Sequence, residues 1–327
     1  MLSIDRCMHA ALVFVALVAG APALAQSYPT RPITIVIPIG AGTGMDLLAR
    51  VYGEKLSQRL GKPVIVENRP GAGLTLAPST VASAPPDGYT LMVAVTGTFA
   101  TYPVLYKKLK YDPKDFTPIA MYVKSPFVLV VNPDLPARSA LEFINLAKSK
   151  VPPLTYSTPG AGTMQHLAVE AMRRIFHFDL TQVPYRNTQQ SVTDIVAGHV
   201  NSGVAEAGAS IPLIKQDKLR ALAVTSTSRF ATLPDVPPFA EAAKAPGFEA
   251  VSWHALVAPA GTPREIVERL HTEMKEIMAS PEITAQVVKL GLIPFPTPSI
   301  PEMQAYIKSD QEKWGAIVRD LGLAGTQ

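Results

Sequence analysis

Residues 36–50 read VIPIGAGTGMDLLAR, an apolar run that ends in a glycine-rich turn and hands over to a helix with an aspartate near its start. Strand, turn and helix in that order form the repeating unit of α/β folds, so this stretch sets the fold class. The turn also has a chemical use. The first turn of a helix leaves amide N–H groups without intrahelical partners and carries about half a unit of positive charge. Glycines let such a turn close around carboxylate or phosphate oxygens. Here the turn is Gly40, Ala41, Gly42 and Thr43, with Asp46 three residues on. Asp46 has several readings: an acid suited to the first helical turn and paired with Arg50, a fixer of the loop, or a contact to a ligand's hydroxyl or ammonium group.

The turn has an echo. Gly40-Ala41-Gly42-Thr43 recurs as Gly160-Ala161-Gly162-Thr163. The first copy stands between an expected strand at 33–37 and an expected helix at 46–60, the second between a strand at 154–157 and a helix at 165–176. Two lobes that each offer such a turn at a strand's carboxyl end suit a ligand cleft between α/β domains. The hydroxyls of Thr43, Ser157, Thr158 and Thr163 add donors, so the expected ligand is a small anion. His166, beside the second turn, either packs and hydrogen-bonds there or touches the ligand.

Further short β-branched runs at 64–67, 90–95, 127–131, 182–185, 200–205, 219–225 and 251–258 alternate with amphipathic stretches. Most are apolar on both faces, as buried parallel strands are. The 31 prolines punctuate this alternation, because the residue before each is pushed out of the helical region. Ser139 with Glu142, Thr262 with Glu265 and Ser299 with Glu302 have the spacing of capping boxes and mark helix starts.

Several activities are excluded by pattern. Met45 stands where a dinucleotide loop needs its third glycine, and Gly44 comes one position early; no Gly-Lys-Ser/Thr follows for a P-loop. Gly-x-Ser-x-Gly, Ser-x-x-Lys and His-Glu-x-x-His are absent, so neither a serine hydrolase nor a zinc enzyme is indicated. The net charge of +4 comes from bases scattered among acids without a basic run, which makes nucleic acid an unexpected partner. No metal and no cofactor are expected.

At the amino terminus, Arg6 and His9, an apolar stretch over 10–20 and Ala23-Leu24-Ala25 have the layout of a cleaved signal peptide, residues 1–25, and imply export to the periplasm. The only cysteine, Cys7, falls within it, so the mature chain would hold neither disulfide nor thiolate. About 300 residues would remain, enough for two domains of ordinary size.

The stretches RPITIVIPIGAGTGMDLLAR, VIVENRPGAG, PPDGYTLMVAVTGTFATYPVLYKKLKYDPKDFTPIA, YSTPGAGTMQHLAVEAM, VPYRNTQQSVTDIVAGHV, LAVTSTSRFATLPDVPPFAEA and WHALVAPAGTP together resemble the extracytoplasmic solute receptors of tripartite tricarboxylate transporters, also called Bug receptors. The resemblance implies a two-lobe periplasmic binding protein, each lobe a mainly parallel sheet flanked by helices. It places lobe one at 27–125 and 251–327 and lobe two at 126–250, with the two chain crossings as hinge. It further implies that the lobes close on a small carboxylate, held by the turns matching 40–46 and 157–163, and that a monomeric receptor delivers it to the large and small membrane components of the transporter. Thr98 joins the expected ligand contacts beside Gly40, Ala41, Gly42, Thr43, Asp46, Ser157, Thr158, Ala161, Gly162, Thr163 and His166. Two departures concern ligand choice: Gly42-Thr43 replaces the family's paired glycines, and Asn187 replaces the glycine after Arg186. A secreted hydrolase or isomerase using the same cleft, or a solute-binding partner of a membrane sensor, are the alternative functions.

Overall fold

The computed structural model describes residues 28–185 and 188–327. The expected signal peptide with Cys7, and the pair Arg186 and Asn187, lie outside the described residues.

The chain opens with β1 (Ile33–Ile37), α1 (Gly44–Leu60), β2 (Val64–Asn68), α2 (Leu76–Ala82) and β3 (Thr90–Val95). β1 lies between β2 and β3 and parallel to both, with Ile35 opposite Val66 on one side and Leu91 on the other. α1 starts at the Thr43 cap and stops at Gly61, where a φ of 69° lets the glycine N–H reach the Ser57 carbonyl. Between these ends Leu48, Tyr52, Leu56 and Leu60 recur every four residues and are buried, the stripe a helix lays on a sheet.

A π-helical turn, Gly97–Thr101, then leads through α3 (Tyr102–Leu105) to the 16-residue β4 (Phe116–Val131). Next come α4 (Ala140–Ser149), β5 (Leu154–Thr158), α5 (Met164–Phe176), β6 (Leu180–Pro184), α6 (Thr188–Val196), β7 (Ser202–Glu206), α7 (Ala207–Ile214), β8 (Arg220–Val224) and α8 (Phe239–Ala242). The chain finishes with β9 (Val251–Pro259), α9 (Arg264–Ala279), α10 (Pro281–Lys289), β10 (Ile293–Pro294) and α11 (Ile300–Asp320).

The strands follow the order β2-β1-β3-β9-β4-β7-β5-β6, with β8 and β10 also paired to β4. β4 therefore belongs to two sheets. Residues 116–126 pair with β9, whereas 127–131 pair with β7 and β8. The chain returns between Ala250, whose N–H bonds the Thr225 carbonyl, and Val251, which faces Pro126.

The α/β class and the flanking helices follow expectation, but the sheets are mixed. The triplets β2-β1-β3 and β6-β5-β7 are parallel, while every pairing of β4 and β9 is antiparallel. The reason is geometric: β1 and β5 both run toward their glycine turns, so strands that start between the two sheets and enter either one must run the other way. The first part of β4 was absent from the expected strands because Pro118 and Pro126 argue against a central strand. The register shifts next to Pro118 and again at Met121, and irregularities of this kind accommodate a missing donor.

One expected cap is not formed. The Thr262 hydroxyl donates to the Pro259 carbonyl at 2.7 Å, and α9 begins past Pro263 without a side-chain cap. Ser139 accepts from the Glu142 N–H, and Ser299 gives its N–H and hydroxyl to the Glu302 carboxylate.

Core clusters of buried residues back both sheets. One, around Val36, Met92, Phe99, Met121, Trp253, Met303 and Ile307, serves the first sheet. A second, around Tyr156, Leu167, Met172, Phe143 and Phe239, lies on one face of the second sheet, and a third, around Val128, Val192, Ile195 and Ile211, on its other face. α11 contributes to two of them: Met303 and Ile307 join the first cluster, Trp314 and Val318 the second.

Candidate ligand-binding site

The two glycine turns share one hydrogen-bond pattern. Thr43 caps α1, its Oγ1 accepting from the Asp46 N–H at 3.3 Å and donating to the Gly40 carbonyl at 3.2 Å. Thr163 caps α5 in the same manner, accepting from the His166 N–H at 3.3 Å and donating to the Gly160 carbonyl at 2.8 Å. The second glycine of each turn has a left-handed φ, 83° at Gly42 and 73° at Gly162, which a side chain opposes. That glycine's N–H is then bound by the side chain four residues on, Asp46 Oδ2 at 2.8 Å in one turn and His166 Nδ1 at 3.0 Å in the other.

Asp46 is buried, and its carboxylate also takes Asn68 Nδ2 at 3.0 Å and Arg50 at 2.9 Å. Burial alone would raise its pKa, but the Arg50 guanidinium and the Gly42 and Asn68 amides outweigh it and hold the carboxyl below the usual range. Its oxygens are thus engaged in fixing the loop. His166 accepts a hydrogen bond at Nδ1, which puts its proton on Nε2, 3.8 Å from Glu170 Oε1. Burial depresses its pKa despite that carboxylate, and the ring stays neutral.

A cavity lies where the two turns meet the base of the cleft. Met45, from the first turn of α1, and Thr163, Met164 and Gln165, from the cap and first turn of α5, all line it. Both helices therefore present their positive ends, and amides with no intrahelical partner, to one space. Its floor comes from the crossing strands, with Ser125 of β4, Ser252 and His254 of β9 and Glu206 at the end of β7; Tyr102 and Phe127 add apolar wall. His254 is 3% exposed, burial pulls its pKa down to about 3, and its Nδ1 has no hydrogen-bond partner among the described residues. Burial pushes Glu206 up to about 7. The space open to the centre of a water molecule is about 30 Å³, room for water rather than a metabolite.

The expected residues divide around this cavity. Thr163 lines it. Gly40 lines a neighbouring crevice shared with residues 71–74 and Pro159. Gly42, with Ala41 beside it, is exposed on the outer side of the turn, where the Gly42 carbonyl accepts from Gln189 Nε2 at 3.3 Å. Gly162 is buried with its carbonyl on the Thr101 hydroxyl at 2.7 Å, and Ala161 faces an outer groove. Thr43, Asp46, Thr158 and His166 are spent on turn geometry; the Thr158 hydroxyl donates to the Gly160 carbonyl and accepts the Gly160 N–H, each at 3.2 Å. Ser157 Oγ lies over Gly203, where an added Cβ would come within 2.5 Å of it. Thr98 is not brought to the cavity, because its hydroxyl accepts the Val95 N–H and its carbonyl accepts from Tyr111 inside the π-helical turn. The floor residues Ser125, Ser252, His254 and Glu206 were not among the expected contacts. They stand at or beside the crossings, a position legible in Ser125-Pro126 only once both crossings are known.

Among the described residues no cluster of His, Cys, Asp or Glu is arranged to hold a metal ion, and no helix is long and apolar enough to span a membrane.

Over residues 48–323 the chain matches the model of the tripartite tricarboxylate transporter family receptor. It is 35% identical over 304 residues to the UPF0065 protein in the tcbD-tcbE intergenic region of Pseudomonas sp. (strain P51), covering 92% of this chain and 90% of that one. Among solved structures, R. palustris Rpa4515 with adipate has a TM-score of 0.85 at 32% identity, and the periplasmic binding protein BugD one of 0.84 at 30%. Each comparison covers 91% of this chain and 99% of the other.

Proposed function

The chain belongs to the tripartite tricarboxylate transporter receptor family, and from that premise we propose that it is a periplasmic receptor that closes two lobes on a small carboxylate and passes it to the membrane components of a tripartite transporter. One observation carries the ligand class: the N-terminal ends of α1 and α5 line a single cavity. Main-chain amides there hold carboxylate oxygens without any metal. That Rpa4515 was solved with adipate supports the class of ligand.

In this reading lobe one is residues 27–125 and 251–327 and lobe two 126–250. The pairing change within β4 at 126–127 and the return at 250–251 support those boundaries. A cavity near 30 Å³ belongs to a closed arrangement, and ligand entry parts the lobes at the crossings. Turn residues such as Asp46, Thr163 and His166 hold the amides in place.

The test is calorimetry and thermal shift with mono-, di- and hydroxycarboxylates on protein unfolded and refolded to strip bound solute. A ligand at one hundred times Kd raises stability by about 2.7 kcal/mol. Stabilisation by a carboxylate but not by the matching alcohol or amide is the expected result; no stabilisation by any carboxylate would sink the proposal.

A further inference from the structure

We infer that Glu206 makes this cleft select carboxylates that also carry an ammonium group, in preference to dicarboxylates of equal length. The inference rests on the receptor reading above and adds a specificity residue to it.

Glu206 ends β7 and occupies the N-cap position of α7, yet its side chain forms no cap bond. Glutamate is not among the side chains that cap helix starts, so the first turn of α7 makes no claim on it. Glu206 lines the cavity. Among the described residues it has neither an ion-pair partner nor a hydrogen bond.

The rest of the lining explains what the carboxylate is for. Among the described residues no lysine or arginine lines the cavity, and Glu206 is the only Asp, Glu, Lys or Arg that does. The helix ends already supply the positive field for one ligand carboxylate. A second ligand carboxylate would meet Glu206 with no described cation between them, and like charges in a partly enclosed space repel. An ammonium group reverses the sign of that contact and gives Glu206 the partner the protein withholds. His254 fits the same ligand: its Nδ1 is buried without a partner and the ring is neutral, so it adds a polar atom but no competing positive charge. The elevated pKa of Glu206 is the mark of an acid held without a counter-charge.

The experiment is isothermal titration at pH 8 of stripped protein, wild type, Glu206→Gln and Thr163→Val, with 2-aminobutanoate, 4-aminobutanoate and 5-aminopentanoate against the unsubstituted and dicarboxylic acids of the same lengths. Wild type is expected to favour an amino acid over its dicarboxylate by roughly tenfold or more, the factor that corresponds to 1.4 kcal/mol. Glu206→Gln is expected to erase or invert that ratio, while Thr163→Val weakens all ligands about equally. Wild type favouring the dicarboxylates, or Glu206→Gln keeping the wild-type ratio, overturns the inference while leaving the receptor reading intact. Failure of every carboxylate to bind wild type overturns both.

Discussion

At Thr163 a single hydroxyl has two duties, capping α5 and facing the cavity. Thr163→Val keeps the shape and removes both. The expected outcome is a loss of about 1 kcal/mol in denaturant unfolding, the usual worth of a cap, with ligand affinity lowered as the turn that presents the cavity amides loosens. Asp46→Asn separates loop fixing from ligand contact. Because Gly42, Asn68 and Arg50 already occupy the carboxylate, melting temperature should fall while the affinity of the refolded protein changes little. Titration makes a third residue-scale test. His254 is held neutral with a folded pKa near 3 against an ordinary 6.5, so the unfolded chain binds the extra proton between those values and stability falls as pH drops through that window. Glu206 works the other way: with a folded pKa near 7 against 4.5, the native state binds the extra proton, and stability falls as pH rises from 4.5 to 7. The two oppose each other between about pH 4.5 and 6.5. Glu206→Gln should therefore steepen the acid-side decline in melting temperature, and an unchanged pH profile would show that Glu206 does not titrate above the ordinary carboxylate range.

At the element scale, the strand–turn–helix units were legible because each carries a local signal: a β-branched run, a left-handed glycine and a capping threonine. The same locality gives the echoed stretches 40–43 and 160–163, expected from sequence only as a pair of anion-holding turns, a shared hydrogen-bond pattern. Asp46 and His166 differ in chemistry, but both reach back to the glycine N–H four residues before them, a role no residue-type rule assigns to histidine. What stayed hidden was set by distant pairing. The first part of β4, the antiparallel sense of β4 and β9 and the exposure of Glu206 to the cleft all depend on which strands meet, and prolines 118 and 126 masked the strand that joins them. Thr98, an expected ligand contact, lies in the π-helical turn, where its hydroxyl accepts the Val95 N–H. The second turn also has a packing requirement. A Cβ at Gly162 would come within 2.2 Å of Leu105 Cδ2 while φ stays at 73°, so Gly162→Ala should destabilise by more than about 1 kcal/mol through strain and overpacking together. Calorimetric unfolding of the variant decides this, and wild-type stability would mean that α3 yields.

For the whole molecule, closure should be separable from folding. Gly208 of α7 packs where an added Cβ would lie 3.2 Å from the Leu290 carbonyl and 3.5 Å from Gly44, so it sits where the proposed lobes touch. Its φ is not left-handed, so a side chain strains the contact rather than the backbone. Gly208→Leu is expected to leave the unfolding transition near wild type and to lower ligand affinity, with small-angle scattering showing a radius that no longer contracts on adding ligand. Undiminished affinity would locate the closing contact elsewhere. Sequencing the exported protein's amino terminus is expected to begin at Gln26, and retention of residues 1–25 would overturn the proposed cleavage.

α11 bears on how such a motion proceeds. Two neighbouring strand crossings by themselves would leave a pair of lobes free to bend, twist or slide. A third link is 21 residues long and rooted in both cores; Asp310 near its middle accepts from Trp253 Nε1, close to the return crossing, at 2.6 Å, and the Asp320 carbonyl near its end accepts from Arg174 at 2.8 Å. A body held by a third tether retains fewer degrees of freedom. For the proposed lobes, the arc between open and shut would then be narrowed toward a single path.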